Sequence, residues 1–335
     1  MSFLSEEPGF SFRKPMLALI VGNTMLSTVP GISAAGPTPE ATLLTATLDA
    51  ELVVRGAITS MDVKPVSPTG CATPATLTRA MAELAGLQPV IVNAGLVHPP
   101  VVPCIDCYGK AGGDPREGDA VPDVYELFER GITIGEMLGA YSDLLVLGES
   151  VPGGTTTALC VLRGLGYEAD VSSSFVDNPK DLKTGIADHV VQRIRDEGIT
   201  EPLDVVRCGG DPMIAVAAGI AKGYPGKIVF AGGTQMLSVA AVLGRMGEEV
   251  PELATTIYVG SDPNATFART VEEVGTKAYL VDPDFGTIGN PGLARYCAGE
   301  VKEGMGAGGA LFLAHIMGHG DEEIRAKILD FLKDY

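Results

Sequence analysis

Two glycine-rich segments carry residues able to do chemistry on an anionic ligand. The first, Gly148-Glu149-Ser150-Val151-Pro152-Gly153-Gly154-Thr155-Thr156-Thr157, follows an apolar run and precedes a stretch of helical spacing. Its glycine spacing is that of a phosphate-binding loop, G-x-x-x-x-G, but Gly154 stands where such a loop places its lysine. Lacking that lysine and a clear Mg²⁺ carboxylate, the segment argues against a nucleoside triphosphatase. What remains is an anion cradle of free amides at a helix N-terminus, with the hydroxyls of Thr155 and Thr156 beside them. The helix dipole contributes ~0.3–2 kcal/mol per anion, and aimed amides add charge-assisted hydrogen bonds. The competing interpretation is that these glycines merely permit a tight turn.

The second segment, Glu300-Val301-Lys302-Glu303-Gly304-Met305-Gly306-Ala307-Gly308-Gly309-Ala310, sets two carboxylates among glycines before an apolar helix. Such crowding suggests close backbone approach to a ligand. A glutamate partly withdrawn from water there gains the raised pKa of a general base. Alternatively, Glu300 and Glu303 simply favour a helix start.

Other reactive side chains offer less. Cys104-Ile105-Asp106-Cys107 has the spacing of a redox pair or half a zinc site, but a structural zinc site needs four ligands and no second such pair follows. Cys71 and His98 are the remaining candidates. His315 and His319 share one helical face, yet Ile316 stands where a zinc protease has its glutamate. No G-x-S-x-G turn accompanies these histidines, so nothing indicates a hydrolase triad. No metal and no cofactor are assigned, and a redox or zinc protein built on Cys104 and Cys107 is a minor alternative.

The elements that must position these residues have a visible rhythm. Runs rich in Val, Ile and Leu end in glycine plus a small polar residue over 144–149, 205–211, 228–234 and 257–262. Stretches with helical spacing lie between them, at 188–195, 214–221 and 236–246. Further strands are expected over 16–21 and 89–93. Thr38-Pro39-Glu40 and Thr73-Pro74 each read as an N-cap followed by proline at the first helical position. Residues 98–122 form a long loop, and 306–335 two helices joined at His319-Gly320-Asp321. The pattern predicts an α/β fold: a doubly wound, mainly parallel sheet with helices on both faces and a small helical part from the chain termini. One unit would span 15–285; a C-terminal helical segment, 286–335, would pack with residues 1–14 and carry Glu303. In such sheets the ligand sits at the carboxyl ends of the strands, where the glycine turns lie.

Charge narrows the partners. Twenty-four basic against 42 acidic side chains leave a formal net charge of −18. That argues against a nucleic-acid or anionic-membrane surface, both of which need clustered Lys and Arg. A small anion is still admissible, because the global field is screened within about 8 Å at physiological salt. Residues 15–39 are uncharged, but the apolar part, 16–21, is far shorter than the ~20 residues of a membrane span. Asn23, Thr24, Ser27, Pro30 and Pro37 then interrupt it. Six cysteines do not make a disulfide framework, and Cys160 and Cys208 sit in apolar runs as buried small hydrophobes. The expected compartment is the cytoplasm.

Over residues 140–318 the chain resembles the nicotinate-nucleotide:dimethylbenzimidazole phosphoribosyltransferase family. That family's G-E-M-G-I-G-N-T-T-T-A stretch is similar to Gly148–Ala158, and its G-G-x-E-I-A-A helix start to Gly209-Gly210-Asp211-Pro212-Met213-Ile214-Ala215. Its D-G-F strand end falls at Ala231-Gly232-Gly233, and its R-L-G-E-G-T-G-A resembles residues 300–307. Departures are Ser172-Ser173-Ser174 in place of a glycine-rich turn, Ala231 for aspartate, Gly260-Ser261-Asp262 where a histidine is expected, and Glu300 and Lys302 for arginine and glycine.

The resemblance implies transfer of phosphoribose from nicotinate mononucleotide to an aromatic nitrogen base, 5,6-dimethylbenzimidazole or a relative. The products are nicotinate and an α-ribazole 5′-phosphate-type nucleotide for a cobamide lower ligand. No cofactor is implied, and the protein would be a homodimer. Glu303 would be the general base. Substrates would be held by Glu149, Gly153, Gly154, Thr155, Thr156, Ser174, Gly209, Gly210, Gly232, Gly233, Ser261, Gly304 and Gly306. The chemistry suits the residues: carboxylates stabilise a cationic ribosyl centre, and one of them takes the proton of the incoming azole. Few Lys or Arg lie in these segments, so the phosphate is expected on backbone amides and hydroxyls. The departures at Ala231 and Glu300 motivate the alternative of a non-catalytic sensor that keeps the phosphate cradle.

Overall fold

In the computed structural model, which describes residues 2–67 and 69–335, four of the apolar runs (16–21, 89–93, 144–149 and 228–234) lie side by side within a seven-stranded sheet. The strands are β1 (Pro15–Gly22), β2 (Val90–Gly95), β3 (Ile105–Asp106), β4 (Leu144–Ser150), β5 (Lys227–Ala231), β6 (Glu252–Thr256) and β7 (Ala278–Val281). Their order is β3-β2-β1-β4-β5-β6-β7, and every pairing is parallel. Both faces are covered, which is why the strands read as continuous apolar runs. Leu17, Leu19 and Val21 of β1 enter one core, and Ala18 and Ile20 the other.

Against the first core lie α1 (Pro39–Arg55) and α2 (Pro74–Leu84). The opposite core takes α3 (Val124–Gly139), α4 (Gly154–Gly164), α5 (Lys180–Glu197), α6 (Pro202–Gly209), α7 (Pro212–Gly223) and α8 (Thr234–Met246). A single turn, α9 (Ile257–Gly260), and α10 (Phe267–Val274) follow on that side. The chain then returns to the first face through α11 (Pro291–Cys297), α12 (Ala307–Ile316) and α13 (Asp321–Phe331). The N-terminal residues lie nearby: Leu4 bridges Val281, and Phe3 stacks on His315. Strand order reverses between β1 and β4, so the connections leaving these two strands diverge, and in sheets of this kind the ligand crevice lies at the carboxyl ends there.

The expected doubly wound sheet is present, with corrections in detail. Residues 205–208 are helical, inside α6, not a strand. Pro202 at the first helical position starts that helix, and a short apolar run looks alike in a buried helix and a buried strand. Residues 257–260 form α9; the strand lies just before them, as β6, where Leu253 and Ala254 fill the cores. Thr38 caps α1 as expected, accepting from the Ala41 N–H at 3.2 Å. Thr73 precedes Pro74 at the start of α2 but does not cap it; its hydroxyl turns instead to Asp49, 3.4 Å away. No helix among the described residues is long and apolar enough to cross a membrane.

Candidate active site

Four buried or half-buried carboxylates converge on the carboxyl ends of β1, β4, β5 and β6. Glu149, near the end of β4, accepts at Oε2 from the Val151 N–H at 3.0 Å and from the side-chain amide of Gln235 at the start of α8. Burial pushes its pKa well above the ordinary range, and the charges of Asp211 and Glu303 push the same way. Asp211 caps α7 through the N–H groups of Met213 and Ile214 and takes a 2.5 Å bond from the Thr157 hydroxyl. Asp49 on α1 accepts from Ser150 at 3.0 Å. Burial raises both aspartates to about 6.

Glu303 enters from the segment ahead of α12. Oε2 accepts from the Thr255 hydroxyl at 2.8 Å and the Thr256 N–H at 3.1 Å; Oε1 accepts from the N–H groups of Gly308 at 3.0 Å and Gly304 at 3.2 Å. These four donors match the four lone-pair positions of a carboxylate. Burial still raises its pKa, because the four bonds only partly offset desolvation. Two glutamates whose protonation is set apart by their surroundings are the arrangement from which acid and base roles arise.

An ammonium group joins the turn at α4, where sequence reasoning expected none. Lys183 on α5 is 1% exposed and donates to the Thr155 hydroxyl at 3.0 Å and to the Ser172 carbonyl at 3.1 Å. Burial, helped by repulsion from Lys302, lowers its pKa to about 7. The turn itself needs Gly153, whose φ is +81° and where a Cβ would meet Ser27 at 3.0 Å. Thr156 is buried with its hydroxyl unpaired, as are the Ser27 hydroxyl and the Asn23 amide nitrogen. Three polar groups at the ends of β1 and β4 thus find no partner among the described residues.

The remaining expected residues divide into two groups. Gly232 lies beside Glu149, where a Cβ would sit 3.8 Å from Oε1, and Gly233 beside Thr255, the partner of Glu303. Gly154 faces Gln235. Gly304 (φ +144°) donates to Glu303, and Ser174 accepts from the Val301 N–H at 3.2 Å, tying its loop to the Glu303 segment. Away from the crevice, Gly209 faces Cys160 and Val190, and Gly210 faces Val206, so both serve close helix packing. Gly306 sits against Gly148, Leu19 and Ala231. Gly306, Gly308 and Gly309 therefore approach the sheet, while Gly304 faces Pro74, and Ala231 fits because it meets the bare backbone of Gly309. Ser261 is exposed, but the next residue, Asp262, is paired with Lys302 at 3.5 Å.

Glu300 is held by Arg295, Ser67 and Thr69. Burial alone would raise its pKa, but these partners bring it below the ordinary value. All six cysteines are free thiols. His315 and His319 face separate carboxylates, Glu7 with Asp321 and Glu323 respectively. No group of three His, Cys, Asp or Glu side chains placed to hold a metal occurs among the described residues.

No family model matches the chain. A UPF0284 protein of Thermococcus gammatolerans is 43% identical over 323 residues, which cover 93% of this chain and 96% of the relative. One of Methanosarcina acetivorans is 39% identical across 99% of this chain and 98% of its own length. The chain belongs to the UPF0284 family. Among solved structures, the nicotinate-nucleotide-dimethylbenzimidazole phosphoribosyltransferase of Thermus thermophilus superposes with a TM-score of 0.61 at 17% identity, covering 95% of this chain and 83% of that one. A structure of CobT from the same organism gives 0.62 at 16% identity, covering 96% and 84%. At that identity the likeness is one of fold, and this UPF0284 member shares its α/β architecture with those transferases.

Proposed function

We propose that this protein transfers phosphoribose from nicotinate mononucleotide to an aromatic nitrogen base of the dimethylbenzimidazole type. The observation that carries the proposal is one end of the sheet holding a carboxylate pair, Glu149 and Glu303, beside the lysine-bearing turn at Thr155. The Thermus protein of like fold is named for such a transfer.

The donor phosphate would lie at the start of α4, on the Thr155 hydroxyl and Lys183, since the Gly154 and Thr156 amides there already donate to the Val151 and Gly153 carbonyls. The ribosyl–nicotinate C–N bond breaks as positive charge grows on the anomeric carbon, and buried carboxylates favour that charge. The acceptor's free ring nitrogen forms the new C–N bond from the opposite face, which inverts the centre. Its N–H proton passes to Glu303. Nicotinate departs with the electron pair of the broken bond, neutralising its pyridinium. The ribose hydroxyls would meet polar groups such as Thr156, Ser27 and Asn23, which otherwise stay unpaired in a buried site. Free thiols throughout suit a reducing cytoplasm, and we take the working unit to be a homodimer, which light scattering would test.

Nicotinate release from the mononucleotide, followed with a panel of azole and benzimidazole bases, tests the proposal. Release that depends on a base is the expected result; none with any base overturns it. Glu303→Gln should lower turnover by roughly 10²–10⁴ while the donor still binds. Turnover within a factor of three of wild type would reject its role as base.

One observation favours a second interpretation. With four donors on its oxygens, Glu303 is satisfied without a substrate, as a purely structural cap of α12 would be. A non-catalytic sensor would bind α-ribazole phosphate in calorimetry yet release no nicotinate across the base panel.

A further inference from the structure

The segment that brings Glu303 to the crevice is held in an unusual backbone. Val301 (φ +67°), Lys302 (φ +67°) and Met305 (φ +49°) all lie in the left-handed region, which glycine enters freely and other residues rarely do. Lys302 adds a second oddity, being only 5% exposed. Its ammonium donates to the Gly299 carbonyl at 2.6 Å and lies 3.5 Å from Asp262.

From Asp262 a continuous set of contacts runs to the turn at α4. The Ser172 hydroxyl donates to Asp262 at 2.7 Å, the Ser172 carbonyl accepts from Lys183 at 3.1 Å, and Lys183 donates to Thr155 at 3.0 Å. Lys302 thus pairs with Asp262, whereas Lys183 reaches that carboxylate only through Ser172 and makes no ion pair of its own among the described residues. The nearby Glu300 does not compensate, because Arg295 already engages it. Glu303 is turned to Thr255, Thr256 and α12. Burial depresses both lysines, and their mutual repulsion depresses Lys183 further. Uncompensated buried cations are costly, and an anion lodged between them turns repulsion into attraction.

We infer that Lys302 is a phosphate-binding residue, completing with Lys183 a two-lysine clamp at the start of α4 and coupling the bound phosphate to Glu303, its neighbour in the chain. The identity of the phosphate as the donor's rests on the transferase proposal; the anion site itself does not.

Calorimetric titration of the full-length protein with inorganic phosphate, nicotinate mononucleotide and nicotinate riboside tests this. Losing one charge-assisted contact in Lys302→Gly should weaken inorganic phosphate roughly 10- to 100-fold, and lower the mononucleotide-to-riboside affinity ratio by a similar factor. Lys302→Arg should restore most of that ratio. A purely structural role gives the opposite ranking, since glycine suits the +67° backbone best. A ratio within two-fold of wild type in Lys302→Gly overturns the inference, and so does a wild-type protein that ignores inorganic phosphate. Nicotinate release is read separately: if the wild type releases none, the transferase proposal falls and the phosphate titration alone judges Lys302.

Discussion

Asp211 links α7 to Thr157 of the α4 turn, and burial holds its carboxyl near 6 against 3.8 for an ordinary aspartate. The folded chain therefore keeps this proton more tightly than the unfolded chain does. The stabilisation is whole below 3.8 and is lost as the pH rises through about 6. Asp49 has the same sign and the same range. Each shift corresponds to about 3 kcal/mol in full, of which about half falls between pH 5 and 8. Asp211→Asn keeps an acceptor for the cap amides and removes the titration. The drop in melting temperature from pH 5 to pH 8 should then shrink by about 2 °C; the same drop in variant and wild type would show that Asp211 is not the titrating group. The proposed transfer would add a limb of its own. As its base Glu303 would have to be ionised to take a proton, and its pKa is raised, so kcat/KM should rise with pH along a limb centred above 4.5. A profile flat from pH 4 to 8 contradicts that role.

Among the elements, α12 makes the strictest demand on sequence. It starts on glycines because it lies directly on the strand ends: a Cβ on Gly308 would come within 2.5 Å of the Thr255 backbone, and one on Gly309 would overlap Ala231. Gly309→Ala should cost about 1–3 kcal/mol by overpacking and shift the Gly308 amide that holds Glu303. A lower urea midpoint together with reduced nicotinate release is expected. Gly185→Ala is the matched control, since nothing lies within 4 Å of its Cβ position on α5. It should stabilise the protein by about 0.5–1 kcal/mol. Equal effects from the two changes would mean that α12 does not rest on the sheet as described. Strands whose glycine ends mark the crevice, such as β4 and β5, are legible in the sequence because burial on both faces leaves no other pattern. The run 205–208 is not, because four apolar residues satisfy a buried helix as well as a strand. Lys183 and Asp49 escape a search by motif, since α5 and α1 are remote from the glycine turns in sequence. Yet each leaves a signal: Lys183 falls on the buried stripe of Ala187, Val190 and Ile194, and Asp49 on that of Thr42, Ala46 and Val53. A charge on such a stripe must be stabilised by something, and here it is Thr155 and Ser172 for Lys183 and Ser150 and Thr73 for Asp49.

For the molecule as a whole, the charge balance and the site pull in opposite directions. A chain with a net charge of −18 repels a doubly negative mononucleotide at long range, whereas in the proposed site the buried Lys183 would attract it at contact. Salt separates the two effects. The Debye length falls from about 30 Å at 0.01 M to about 8 Å at 0.15 M, which weakens the surface field far more than a buried contact. The ratio of kcat/KM for the mononucleotide to that for the uncharged-overall riboside should therefore rise with NaCl across this range. Recruitment by exposed cations would give the reverse. The groove lined by Arg163, Arg195 and Arg269 is where such recruitment would act. Arg163 is already paired with Asp170 and Asp188, however, and Arg269 with Glu273. A ratio that falls steeply with salt would move the phosphate from the turn at α4 to a surface of that kind.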